Sequence, residues 1–284
     1  MTRVWTITEL IKWTTAYLAE KGLEDPRLNA ELLLAGVLGL QRLDLYLQFD
    51  RPVQAEELAR FKARLLRRAK REPMQYIDGE AVFRELRLLV DKRVLIPRPE
   101  TEVLVGEVLA WSRGRVGLRA LDIGTGSGAI AISLAKEGSY EKVVASDLSA
   151  DAIDVARENA RVAGTDIEFR LGSGFSAVTG QIFEVIVSNP PYVAEAERGS
   201  LQPEVGDWEP PLALFGGPTG IEVIEELVAG APSHLRAGGL LALEIGADQA
   251  DRVGEIIASA GRFGTPRIRK DLTGRDRIVL AELE

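Results

Sequence analysis

Apolar and polar positions change their period near residue 75, and that change divides the chain. Before it, apolar residues recur at helical spacing. Ile7, Leu10, Ile11, Tyr17 and Leu18 form one stripe, with Thr6 or Thr8 placed to cap the helix. Asp25 followed by Pro26 reads as a cap-then-proline start to R-L-N-A-E-L-L-L-A-G-V-L. The basic run of residues 56–72 predicts another helix, so this region is a small helical bundle. Residues 76–90, Y-I-D-G-E-A-V-F-R-E-L-R-L-L-V, alternate and are rich in aromatic and branched side chains, which predicts a hairpin.

Beyond I-P-R-P-E-T-E, whose two prolines exclude a continuous helix, strands and helices alternate. Strands are predicted over 120–124, 142–147, 167–171, 183–188 and 240–246, and then at P-R-I-R-K and R-I-V-L-A-E-L. Helices are predicted at G-A-I-A-I-S-L-A-K-E and A-D-A-I-D-V-A-R-E-N-A-R. Strands separated by helices need crossover connections, so the expected fold is α/β, a doubly wound and mostly parallel sheet of Rossmann-like form. The expected organisation is a helical domain over 1–73, a hairpin linker over 74–96 and the α/β domain over 97–284.

Composition narrows the chemistry. There is no cysteine and a single histidine, His234, so thiolate metal sites, disulfides and cysteine nucleophiles are excluded. One histidine also leaves little room for a histidine metal cluster or a Ser-His-Asp hydrolase, and no metal is expected. His234 itself reads as a surface or helix-end residue. No signal segment and no membrane-length apolar run is visible, which makes a cytoplasmic protein with no membrane partner the expectation. The net charge of −8 argues against general affinity for a nucleic-acid backbone. That charge is uneven: Met1 to Glu72 carries +3 and the remainder −11. The basic run at 56–72 is either a solvated helix face or a docking surface for an acidic partner.

L-D-I-G-T-G-S-G-A, residues 121–129, follows a strand and opens a helix. Gly124, Gly126 and Gly128 allow a tight turn and a close ligand approach, and Asp147 ends the next strand where it can accept from a ribose. The pair marks a nucleoside-containing cofactor, and the spacing also satisfies the dinucleotide fingerprint, so nicotinamide stays open. Asp122, placed to meet an ammonium group, and the stretch V-I-V-S-N-P-P-Y favour S-adenosylmethionine. Asn189 offers a side-chain carbonyl and Pro190 a main-chain carbonyl, while each proline deletes a competing N–H. Residues before proline are held extended, so Asn189 and Pro190 are stiff. Tyr192 can pack on a planar group. The unit suits a planar NH2 that acquires positive charge during methyl transfer, with oriented acceptors stabilising that charge.

These stretches resemble the PrmC/HemK family, which methylates the glutamine amide of class 1 peptide-chain release factors. The resemblance is carried by E-P-M-Q-Y-I-D-G-E-A-V-F (72–83), V-L-I-P-R-P-E-T-E (94–102), L-D-I-G-T-G-S-G-A-I-A (121–131) and D-V-A-R-E-N-A (154–160). It continues in F-E-V-I-V-S-N-P-P-Y-V (183–193), E-P-P-L-A-L-F-G-G (209–217), L-E-I-G (243–246) and K-D-L-T-G-R-D-R (270–277). It implies S-adenosylmethionine held by Gly124, Thr125, Gly126, Ser127, Gly128, Asp147 and Asn189, with S-adenosylhomocysteine as product. It implies a glutamine held by Asn189, Pro190, Pro191 and Tyr192, of which Asn189, Pro190 and Tyr192 are catalytic, and a helical domain that helps dock the release factor. The target is the Gly-Gly-Gln glutamine. Where some members place a tryptophan beside the adenine, this chain has Gly174, so its backbone or Phe175 is expected there.

Arg98, Glu100 and Thr101 are candidates to line the cofactor cleft, although a helix-cap role also accounts for Thr101. Glu209 and Pro210 either shape the substrate entrance or form a plain loop. The four tryptophans read mostly as packing residues. A monomer without stable nucleic-acid binding is expected. The competing readings are an amino-methyltransferase acting on a flipped nucleic-acid base, a nicotinamide oxidoreductase, and a non-catalytic assembly module.

Overall fold

The computed structural model describes residues 4–284; residues 1–3, the start of the expected helical domain, lie outside the described residues. Two compact units are present. One runs to Gly79 and takes in Pro203–Trp208, and the other comprises Glu80–Gln202 and Glu209–Glu284.

The first unit is helical: α1 (Ile7–Glu20), α2 (Pro26–Leu38), α3 (Arg42–Leu47), α4 (Ala55–Arg68) and α5 (Met74–Asp78). Thr6, not Thr8, caps α1, in a reciprocal capping box with Glu9. Asp25 does precede α2, but it sits at φ 46° and its side chain makes no capping bond. Pro26 sets that start, together with Asn29, whose side chain donates to the Glu24 and Asp25 carbonyls. Ile7, Leu10, Leu18, Leu33, Leu34, Phe61 and Leu65 form the core. The basic helix is largely neutralised within its own unit: Arg64 pairs with Asp78, Arg67 with Glu72, and Arg68 with Glu204. Residues 74–78 are helical, where the alternating pattern predicts strand from 76. Tyr76 and Ile77 are buried on one helical turn, and adjacent aromatic and branched residues imitate strand composition.

The second unit begins with a hairpin, β1 (Glu80–Phe83) and β2 (Leu86–Leu89), followed by α6 (Pro99–Ser112). Then come β3 (Leu118–Ile123), α7 (Ala129–Glu137), β4 (Tyr140–Asp147), α8 (Ala150–Ala163), β5 (Glu168–Leu171) and β6 (Phe183–Ser188). The short helix α10 (Pro211–Leu214) follows α9 (Pro203–Gly206), which belongs to the helical unit. α11 (Glu222–Gly230), β7 (Leu235–Glu244), α12 (Ala250–Ser259), β8 (Arg267–Lys270) and β9 (Asp276–Glu282) complete the chain.

The sheet order is β5-β4-β3-β6-β7-β9-β8. Strands β5 through β7 in that order are parallel, whereas β9 runs antiparallel to β7 and to β8. The central strands are apolar on both faces because helices cover both. Leu121, Ile186, Leu241 and Val279 pack with Ile224, Leu227 and Val253 on one side. Ala120, Val185, Leu240 and Ile278 pack with Leu104, Val108 and Ile130 on the other, and the hairpin adds Phe83, Leu86 and Leu88 to that layer. K-D-L-T-G-R-D-R forms the β8–β9 turn, where hydrogen bonds from Thr273 and from the Arg275 N–H hold the Asp271 carboxyl down to about 2. Among the described residues no helix is long and apolar enough to cross a membrane.

Candidate active site

The chain winds outward through β3, β4 and β5, then returns to β6 beside β3. In open α/β sheets that reversal opens a crevice at the carboxyl ends of the strands. Register makes the crevice specific: Ile123 pairs with Ser188, so Gly124 and Asn189 leave the sheet side by side. The Ser188 hydroxyl donates to the Ile123 carbonyl at 2.6 Å and fixes that alignment. A cavity of about 310 Å³ opens there, lined in part by Gly124, Gly126, Asp147, Phe175, Asn189 and Pro191. Its size lies in the ordinary range for small-molecule sites.

The sequence-predicted residues divide into those that line the cavity and those that brace it. Gly124 and Gly126 have φ of 75° and 55°, conformations that strain any L side chain. Thr125 and Ser127 also line the cavity, yet both are nearly inaccessible. The Thr125 hydroxyl donates to Asp122 at 2.6 Å. Gly128 does not line the cavity; it starts α7, and a Cβ there would lie 2.9 Å from the Ile132 side chain. Asp147 accepts from the Gly126 N–H at 2.9 Å and from the Ser149 N–H at 2.9 Å. Gly174 lines the wall, and beside it Phe175 is stacked on His234 with centroids 4.6 Å apart. His234 ends a short 3-10 helix, in line with its expected helix-end place.

Asp122 is not on the cavity wall. It is fully buried beneath the loop, accepts from Thr125 and from the Ala131 N–H, and leaves its Oδ1 without a partner among the described residues. Burial pushes its carboxyl up to about 7. A native state that binds this proton more tightly than the unfolded chain loses stability as pH rises from the ordinary carboxylate range to about 7. Asp122→Asn lacks that loss. Its stability relative to wild type is expected to improve from about pH 5 to about pH 8 in urea unfolding, and a constant difference would contradict the assignment.

Asn189, Pro190 and Pro191 line the cavity, whereas Tyr192 does not. The Asn189 Nδ2 donates to the Thr101 hydroxyl at 3.0 Å, and that hydroxyl donates to Glu244 Oε2 at 2.6 Å. The Asn189 carbonyl oxygen and the Pro190 carbonyl have no partner among the described residues. Tyr192 is turned away: its hydroxyl donates to Glu244 Oε1 at 3.3 Å, and its carbonyl accepts from Gln249 at 3.0 Å. Burial and the adjacent Glu244 push the Tyr192 phenol up. Thr101 is no helix cap; it sits within the first turn of α6, where Arg98 holds the cap position. Arg98 donates to both oxygens of Glu209, and burial pushes that carboxyl up while Arg98 draws it down. Pro210, next to this pair, lines the cavity, so the segment is more than a plain loop.

Three supporting residues lie in stretches that carry the family resemblance, but nothing in the sequence assigned them a role. Glu244 lies within the L-E-I-G strand end, where the pattern shows only an acid after an apolar run. Gly216 pairs with Val193, and a Cβ there would lie 2.3 Å from the Pro191 carbonyl oxygen. Asn159 on α8 accepts from the Leu89 N–H and donates to the Leu89 and Ser127 carbonyls at 2.7–3.0 Å, tying the hairpin to the glycine loop. Asn159→Ala leaves three backbone groups without these bonds and is expected to destabilise by about 2–4 kcal/mol. Denaturant unfolding measures this, and a change below about 0.5 kcal/mol would show the tie to be dispensable.

A glycine-loop crevice of this topology beside an Asn-Pro-Pro-Tyr strand end defines the class first. Residues 101–202 match the methyltransferase small domain, and residues 9–79 match the PrmC N-terminal domain. The fold is similar to that of a methyltransferase from Pyrococcus furiosus, with TM-score 0.55 and 22% identity over 78% of this chain and 96% of that one. It is also similar to the T. Thermophilus 16S rRNA N2 G1207 methyltransferase in complex with AdoMet and guanosine, with TM-score 0.53 and 18% identity over 72% of this chain and 50% of that one. The release factor glutamine methyltransferase of Chlorobaculum tepidum is 45% identical, covering 97% of this chain and 96% of that protein. The one from Geobacter sulfurreducens is 44% identical with the same two coverages. The chain belongs to the release factor glutamine methyltransferase family.

Proposed function

We propose that this protein transfers a methyl group from S-adenosylmethionine to the side-chain amide nitrogen of the Gly-Gly-Gln glutamine in class 1 release factors. The observation that carries the reading is the pair of unpartnered carbonyls, of Asn189 and Pro190, that leave β6 beside the glycine loop. S-adenosylmethionine supplies an electrophilic methyl group when bound, and the product is S-adenosylhomocysteine.

The cavity fits such a group in its volume and in its lining, which joins a carboxylate, a glycine turn and an aromatic wall. Gly124, Thr125, Gly126 and Ser127 hold it with the backbone, and Asp147 accepts from a ribose while keeping its bonds to the loop. Gly128 acts by letting α7 start close to α8. Gly174 leaves the adenine end open, and Phe175, braced by His234, provides the apolar wall there.

The glutamine NH2 has two N–H donors, and Asn189 and Pro190 present two acceptors. An amide nitrogen is a poor nucleophile because its lone pair is delocalised. Orientation is therefore the main contribution available, on the order of 7–11 kcal/mol for a well-held pair. The same carbonyls stabilise positive charge as it builds on nitrogen. Pro191 stiffens this unit, and Tyr192 contributes from behind by anchoring to Glu244 and Gln249. The proton lost afterwards needs no strong base, which accords with a chain holding one histidine. A reaction on a translation factor belongs to the cytoplasm, and the protein acts on it as a monomer.

The test is mass spectrometry of the Gly-Gly-Gln peptide of a release factor after incubation with the protein and S-adenosylmethionine. A single methyl on the glutamine is the expected result. Label that appears only in nucleic acid would overturn the reading.

A further inference from the structure

Glu244 is a buried acid at the end of β7 that neither lines the cavity nor touches the carbonyl pair. It is nevertheless linked to the site through one hydroxyl. Thr101 has a single O–H, and that proton is committed to Glu244 at 2.6 Å. Toward Asn189 the same hydroxyl can then only accept, so Asn189 must turn its NH2 to Thr101. Its carbonyl is left for the cavity. The polarity of the whole row is thus decided at its buried end.

We propose that Glu244 is a positioning residue: its carboxylate form holds the Asn189 carbonyl toward the substrate, and its acid form releases that constraint. This rests on the function proposed above. When Glu244 carries a proton it can donate to Thr101, whose own proton is then free to bond the Asn189 oxygen. The amide can flip and present N–H groups to the substrate NH2, which offers only donors. The reactive geometry is lost without any backbone movement.

The groups facing Glu244 come from each neighbouring element. Thr101 and Glu100 come from α6, Tyr192 from the loop after β6, and Arg277 from β9. Strand β6 ends opposite Leu243, one residue short of Glu244, and β9 also sets the neutral Ile278 against it. Burial raises the Glu244 carboxyl to about 7 and Glu100 adds to this, while Thr101, Arg277 and Tyr192 oppose it. Above that value the carboxylate dominates and Asn189 is held; below it the restraint is progressively lost.

The experiment is the pH dependence of kcat for glutamine methylation at saturating cofactor, with melting temperature and cofactor affinity measured alongside. Wild type is expected to lose activity on the acid side, approaching about tenfold per pH unit once the acid form dominates. Glu244→Gln cannot ionise and should show no such limb. Thr101→Val cuts the row, lowers kcat by about tenfold or more and also removes the limb, while Thr101→Ser restores both. Asp122→Asn should keep the limb, because the other buried acid lies under the glycine loop. A limb that persists in Thr101→Val overturns the inference even if Glu244→Gln does not fold, and leaves the function intact. A wild-type protein that methylates no glutamine overturns both.

Discussion

Replacing Asn189 by alanine is expected to lower kcat for glutamine methylation by about 10²–10³-fold, the loss typical of one oriented group in an electrostatic site. Of the two acceptors, this is the one carried by a side chain, so substitution removes it cleanly. Pro190 keeps its carbonyl in the variant, which leaves the substrate with half of its restraint. Single-turnover transfer of labelled methyl to a release factor, at saturating cofactor, isolates the effect on the reacting geometry. Unchanged turnover with intact cofactor affinity would remove Asn189 from the reaction.

Gly216→Ala should have a comparable effect from behind the site. The added Cβ would lie 2.3 Å from the Pro191 carbonyl oxygen, far inside contact distance, and the atom it meets is backbone that no rotamer change can move aside. Gly216 also donates to the Val193 carbonyl at 3.0 Å, so it cannot withdraw without breaking that bond. The strand end must therefore yield. Stability is expected to fall by about 1–3 kcal/mol, as for other overpacked sites. Displacing Asn189 and Pro190 by about 1 Å is enough for roughly a 10²-fold loss of transfer rate. Steady-state kinetics together with unfolding curves measure both, and a folded variant of full activity would show the contact to be compliant.

Sequence patterns exposed the sheet because its strands are short apolar runs bounded by turns, and because β3 and β6 end in unusual residues. G-T-G-S-G and N-P-P-Y could be placed in one crevice by topology alone, and the register of Ile123 with Ser188 does so. The direction of β9 could not be read, since an antiparallel edge strand has the same apolar pattern as a parallel one. Asp122 and Tyr192 were legible as special residues but not in their orientation. The first faces the interior under the loop, and the second faces Glu244. Alternation decides the face of Asp122 in a way that proximity to a glycine does not, because Ala120 and Asp122 share a side. Thr101 was ambiguous for a different reason: its partner is 143 positions away, and local capping rules have no access to such a bond.

The bridge of Val193 to Phe215 closes residues 194–214 into a loop whose two ends are pinned directly behind the carbonyl pair. The entropy of closing such a loop grows only slowly with its length. Between those ends Glu204 is held by Arg68 and Glu209 by Arg98, so the freedom to insert, remove or exchange residues is confined to the exposed stretch 195–200. That stretch can therefore change in length and chemistry while its anchored ends keep Asn189 and Pro190 in place.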